Sequence, residues 1–258
     1  MRLVRLYVDE VATAVRCAFA DRANFAIQVG GMLLNNGVFL TLWWMFFAGF
    51  RTVGGWGLAD MALMLGLMMT LFGLCGVLLG GYRDLAAAIL RGEIDAILTQ
   101  PTDVLPRLLA RESSATAWGD VAGGIVVLGL FAGLGWRDLP AVAVALVCGM
   151  AVFASAGVAF ASLAFWAAGA RSFARDLTDF TLLFSSYPGS IYRGAVKVVA
   201  FTVLPAGFVV MLPVKFVRAP GWEAGGAVVL GAAVYVALAW SLFQLGLRRY
   251  RRGHSPAG

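Results

Sequence analysis

The stretch AVKVVAFTVLPAGFVVMLPV, Ala195 to Val214, decides how many times this chain crosses a membrane. It has the roughly 20 apolar residues that a spanning helix needs. Yet Lys197, Pro205, Gly207 and Pro213 interrupt it, and such breaks leave backbone groups unsatisfied in lipid unless protein covers them. If the stretch crossed, the tail with Arg248, Arg249, Arg251 and Arg252 would lie outside, against the bias of Lys and Arg toward the cytoplasmic side. A re-entrant hairpin over 188–217, dipping into the outer leaflet and returning, satisfies both constraints.

The rest of the chain gives clearer spans at Phe25–Phe47, Leu58–Gly80, Trp118–Trp136, Leu139–Ala168 and Ala224–Leu247. Asp176 to Tyr187 opens a further one that SSYPGS, Ser185–Ser190, interrupts. The expectation is an all-α integral membrane protein of six transmembrane helices, with residues 1–258 forming one transmembrane domain. Composition agrees, since 61% of the residues are hydrophobic and 13% charged, against about 45–50% and 25% in an ordinary soluble domain.

Charge placement sets the orientation. Arg2, Arg5, Arg16 and Arg22 precede the first span; Arg83, Arg91, Arg107 and Arg111 lie between the second and third; Arg171 and Arg175 follow the fourth. With the tail arginines, all fall on one side if there are six spans, which predicts both termini in the cytoplasm. The net charge of +6 is scattered through apolar sequence, so it reads as orientation and lipid contact and not as a nucleic-acid footprint.

Several chemistries are excluded. Cys17, Cys75 and Cys148 lie far apart with no metal-like spacing, and the sole histidine, His254, sits in the tail, which removes a histidine base or metal ligand from the spans. No G-x-x-x-x-G-K-[ST] occurs, so no P-loop holds ATP here. No cofactor or metal is expected in this chain. The first apolar run begins only after acidic residues, so no cleavable signal peptide is read.

Before the first span, within residues 1–22, Leu3, Leu6, Tyr7, Val11, Ala14, Val15 and Phe19 share one helical face, while Arg2, Arg5, Asp9 and Arg16 share the other. That pattern suits a helix lying in the membrane interface, and equally one packed on another subunit. Inside the first span, Asn35 and Asn36 either bond across helices or, with Trp43 and Trp44, line a substrate path. Small-residue pairs, Gly76 with Gly80 and Gly129 with Gly133, permit close helix approach.

The loop of residues 81–117 is the longest on the cytoplasmic side. YRDLAAAILRG reads as a short helix continuing from the second span, ended or bent by Gly92. EIDAIL adds a turn or two before Pro101, and Pro106 starts a return helix. The result is a short, charged elbow projecting into the cytoplasm.

Here the sequence resembles a known family. The pattern Gly92, Glu93, Ile94, Asp95, Leu98, Pro101, followed by LLARE at Leu108–Glu112, looks like the loop of permeases of type 2 ATP-binding cassette exporters, in a bacterial subfamily of roughly this length. The likeness extends over nearly the whole chain, through AFW at Ala164–Trp166, LP then PVKFV in the outer hairpin, and GLRRY at Gly246–Tyr250. What the resemblance implies is a permease in the bacterial plasma membrane, paired with a second permease, related or identical, and with two cytoplasmic ATPase subunits that bind ATP and Mg. By position, Arg91, Glu93, Asp95, Leu98 and Pro101 would couple to the ATPase. An amphipathic or hydrophobic cargo suits the sparse polar interior. The rivals are a self-sufficient secondary transporter or channel, and an intramembrane serine enzyme using Ser185, Ser186 or Ser190.

Overall fold

Long runs of Leu, Met, Ala and Phe leave a chain in lipid little choice but helix, because each backbone N–H and C=O must be satisfied within the segment. The computed structural model describes residues 2–253 apart from 51, 53–54, 101–102, 168 and 190–191. Within them every regular element is helical: α1 Arg2–Ala18, α2 Arg22–Gly49, α3 Leu58–Leu78, α4 Leu85–Leu90, α5 Ile94–Leu98, α6 Val104–Ala110, α7 Ala115–Phe131, α8 Leu139–Ser162, α9 Ala170–Ser185, α10 Gly194–Thr202, α11 Leu212–Arg218 and α12 Trp222–Gly253.

The centre is α3. Of its most apolar stretch 89% is buried, against 6% for α2, so α3 is the axis and α2 a flank. Glycines bring α3 and α7 into backbone contact. A Cβ on Gly73 would lie 2.6 Å from the Val121 backbone nitrogen, and one on Gly124 would lie 2.6 Å from the Thr70 nitrogen. Such approach maximises dispersion contact where water supplies no hydrophobic drive. Helix α8 then packs on α3 and α12, with the Phe72 and Phe153 rings 4.4 Å apart. At one end, Arg218 closes on Asp60 at 2.9 Å, joining α11 to the start of α3.

Two apolar cores result. The larger lies among α3, α7, α8 and the α11–α12 region; the second gathers Leu85, Ile89, Ile94 and Leu108 of the 81–117 loop against Phe160, Phe243 and Leu247. This changes the expected picture of the loop. It does not simply project, because its apolar side chains fold back and are buried against the ends of α8 and α12. Nor does its first helix continue from α3, since a 3₁₀ turn at Gly80–Arg83 separates them, and the return helix α6 starts at Val104, ahead of Pro106.

Four helices are long and apolar enough to cross a membrane, and up to six if each of two bent pairs is one crossing. The pairs are α6 with α7, bent by 79°, and α10 with the segment Gly207–Arg218, bent by 72°. The expected fifth span, from Asp176, falls on α9, which is not among these candidates. Helix α9 begins at Ala170, runs for 16 residues and carries Arg171, Arg175, Asp176 and Asp179, which makes it shorter and more polar than the roughly 20-residue crossing length. Its apolar residues belong to one face of an amphipathic helix. Ala195–Val214 breaks around Pro205, as its missing N–H requires, and resumes through a π-type turn at Gly207–Met211. Helix α7 stops at Phe131, short of Trp136, because the chain turns at Gly133 with φ 63°.

Candidate functional site

The sequence concentrates charge in the loop, and the structure converts that charge into a lattice. Gly92 adopts φ 73°, a left-handed conformation that costs little only for glycine, and so turns the chain from α4 into α5. That turn brings Glu93 between two cations: Arg91 and Arg111 each donate to its carboxylate. Both arginines also pair with Asp84, Arg111 reaches Glu112 at 3.2 Å, and Arg171 of α9 approaches Asp84 at 3.9 Å. The hydrogen bonds from Arg91 and then Arg111 hold the Glu93 carboxyl below the usual carboxylate range.

Below this lattice, α5 is anchored by fully buried Ile94 and half-buried Leu98. Asp95, exposed on α5, hydrogen-bonds Tyr250 of α12. Ala96, Thr99 and Gln100 are exposed at the tip, and Pro101 lies outside the described residues. Of the residues singled out from sequence, Arg91, Glu93, Asp95 and Leu98 therefore share one small folded unit.

Helix α1 belongs to the same end. Tyr7 donates from its hydroxyl to the Leu78 carbonyl at 2.7 Å, and Arg107 of α6 pairs with Glu10 at 2.6 Å. Thus α1 packs on this chain's own α3 and α6, with Ala14 buried and Val8 and Phe19 exposed. Neither Glu10 nor Arg107 was singled out beforehand. Their separation of 97 residues leaves no local pattern to find them by.

The apolar-span candidates separate. Asn36 is buried and donates from Nδ2 to Asp120 Oδ1 at 2.9 Å, linking α2 to α7, so it bonds across helices. Asn35 is exposed. Trp43 sits against Phe47 and Tyr187, whereas Trp44 faces outward. Gly76 packs on Ala117 and Gly80 on Glu112, but Gly129 and Gly133 meet nothing. The serine candidates are occupied: Ser185 and Ser186 donate to the Thr181 and Leu182 carbonyls at 2.7 and 2.9 Å, and Ser190 lies outside the described residues. Lys197 is exposed on α10.

These features define a class, a polytopic all-helical membrane protein with a folded, charge-rich loop at one end of its bundle. Residues 33–253 match the family described as "ABC-2 family transporter protein", and the chain belongs to that family. It is a transmembrane subunit of an ABC-type transport system, and members are generally non-catalytic membrane subunits that work with a separate ATP-binding subunit. No curated protein and no solved structure matches the chain.

Proposed function

We propose that this chain is the permease of an ATP-driven exporter that moves an amphipathic or hydrophobic cargo out of the cytoplasm across a bacterial plasma membrane. Two permeases, related or identical, and two cytoplasmic ATPase subunits that bind ATP and Mg complete the machine. In this reading α9 makes the fifth of six crossings, both termini and the 81–117 loop face the cytoplasm, α1 lies at the inner membrane face, and 188–217 dips into the outer leaflet.

The observation that carries the reading is the construction of the loop. Glu93 held by Arg91 and Arg111, with Ile94 buried beneath, makes a unit stiff enough to pass displacement from its exposed tip to the bundle. ATP drives the cycle only by stabilising one global state over another, and a rigid contact is what makes that preference felt in the permease. The coupling role of Arg91 and Glu93 is internal, bracing the elbow, while Ala96, Thr99 and Gln100 present the contact surface.

The test is affinity purification of the full chain from its native host in mild detergent, with partners identified by mass spectrometry. Wild type is expected to bring down a P-loop ATPase in stoichiometric amount. Ala96→Arg, which alters the exposed tip and leaves the internal ion pairs intact, is expected to release it. Purification without an ATPase, or full retention by Ala96→Arg, overturns the reading.

A further inference from the structure

Between α1 and the loop lies an open cavity of about 760 Å³, within the size range of small-ligand sites. One stripe of α1, with Leu6, Asp9 and Ala14, forms one wall; Arg83 and Ile97 belong to the other. The floor is largely apolar. Most charges around it are already matched, Glu10 with Arg107 and Arg111 with Glu93 and Glu112.

Two are not. Arg83 spends its Nε on the Tyr82 hydroxyl at 3.2 Å, and among the described residues neither terminal guanidinium nitrogen has an acceptor. The Asp9 carboxylate also lacks a donor or cation among the described residues; only its backbone carbonyl is used, by Thr13. Arg83 also lies over the Tyr82 ring at 5.8 Å and senses the Asp120 carboxylate at longer range. The cavity thus offers guanidinium donors without an acceptor and an unpaired carboxylate, among the described residues, on facing elements above an apolar surface. Arg83 is placed there by the Gly80–Arg83 turn. Cβ atoms on Gly80 and Gly81 would collide with the Glu112 and Leu108 carbonyl oxygens, so only glycines allow the turn to lie this close to α6.

An occupant that matches must carry both charges and an apolar portion. The geometry points to a zwitterionic phospholipid, its phosphate on Arg83 and its amine on Asp9, with its glycerol and upper acyl chains over Leu6, Ala14, Ala18 and Ile97. Guanidinium donors suit phosphate oxygens, and a carboxylate suits a primary ammonium. A lipid held this way cements α1 to the loop. The inference rests on α1 lying at the inner membrane face, as in the proposed function.

The test uses the full chain in detergent micelles, offered phosphatidylethanolamine and phosphatidylglycerol of the same acyl composition, with retained lipid read by native mass spectrometry. Wild type is expected to retain one phosphatidylethanolamine about tenfold more strongly than phosphatidylglycerol, the scale of one charge-assisted contact. Asp9→Asn, a change on the exposed side of α1, is expected to erase that preference. Arg83→Gln should weaken retention of both lipids by about tenfold, and Arg83→Lys should largely restore it. Equal retention of the two lipids, or retention indifferent to Asp9→Asn and Arg83→Gln, overturns the inference. Competition by soluble glycerophosphoethanolamine at the lipid's own concentration would assign the site to a free headgroup and overturn the lipid. ATPase co-purification in the same preparations separates the two proposals. Loss of lipid preference with the ATPase retained sinks only this inference, and loss of the ATPase with the preference intact sinks only the exporter reading.

Discussion

Glu10 of α1 and Arg107 of α6, 97 residues apart in the chain, meet as an ion pair at 2.6 Å. This pair and the Tyr7–Leu78 hydrogen bond are the polar moorings of the N-terminal helix. Glu10→Arg should therefore raise protease accessibility at residues 2–18 and lower the midpoint of thermal unfolding in detergent. The pair is partly exposed, so the loss is of order 1 kcal/mol. The swap Glu10→Arg with Arg107→Glu should recover most of it, and failure of the swap would show that the pair does not hold α1.

Glu93 predicts a pH dependence. Arg91 and Arg111 lower its pKa in the folded protein, so the stabilisation is present above the unfolded value of about 4.3 and is lost as pH falls through the lower folded value. Wild type should melt above Glu93→Gln at pH 7. The gap should persist to about pH 4 and close below it. A gap that is absent at pH 7 would contradict the bridging role.

Asn36→Leu should be costly, because it leaves the buried Asp120 carboxylate without its donor, a penalty of about 1–3 kcal/mol. Adding Asp120→Leu to Asn36→Leu should return part of the stability, since replacing both partners by apolar groups is cheaper than stranding one. A double-mutant cycle on thermal unfolding measures this. Additive losses would mean that the two residues act independently.

The glycines give a paired prediction. Gly73→Ala places a methyl 2.6 Å from the Val121 nitrogen and 2.7 Å from the Ala117 oxygen, which must push α3 and α7 apart at a cost of about 1–3 kcal/mol. Gly129→Ala meets nothing within 4 Å and should be neutral or slightly stabilising, as Ala is the better helix former. Equal effects at both positions would rule out the close α3–α7 contact.

What the sequence discloses here depends on range. Apolar runs announced α2, α3, α8 and α12, and Gly92 announced the turn after α4, because both signals are local. Helix α9 was less legible, because its Phe180, Leu182 and Leu183 raise hydropathy while Arg171, Arg175, Asp176 and Asp179 make the helix amphipathic. The cluster of Arg91, Glu93, Asp95 and Leu98 was legible as a charged, breaker-bounded motif. Its partners Asp84, Arg111 and Tyr250 were not, since they arrive from other elements through tertiary packing. Asp120 falls near the start of the expected span Trp118–Trp136, and only the packing of α2 on α7 buries it beside Asn36. The glycine spacings illustrate the same limit: Gly76 with Gly80 is an interface and Gly129 with Gly133 is not, though the intervals are identical.

The second core also fixes where force goes. Ile94, on the underside of the loop, shares its packing with Phe243 and Leu247 of α12 and Phe160 of α8, while α2 takes no part in that cluster. Under the proposed coupling role, a push on the loop tip is geared to α8 and α12 as a lever is to its shaft, and α2 receives torque only second-hand, through α7 and α3.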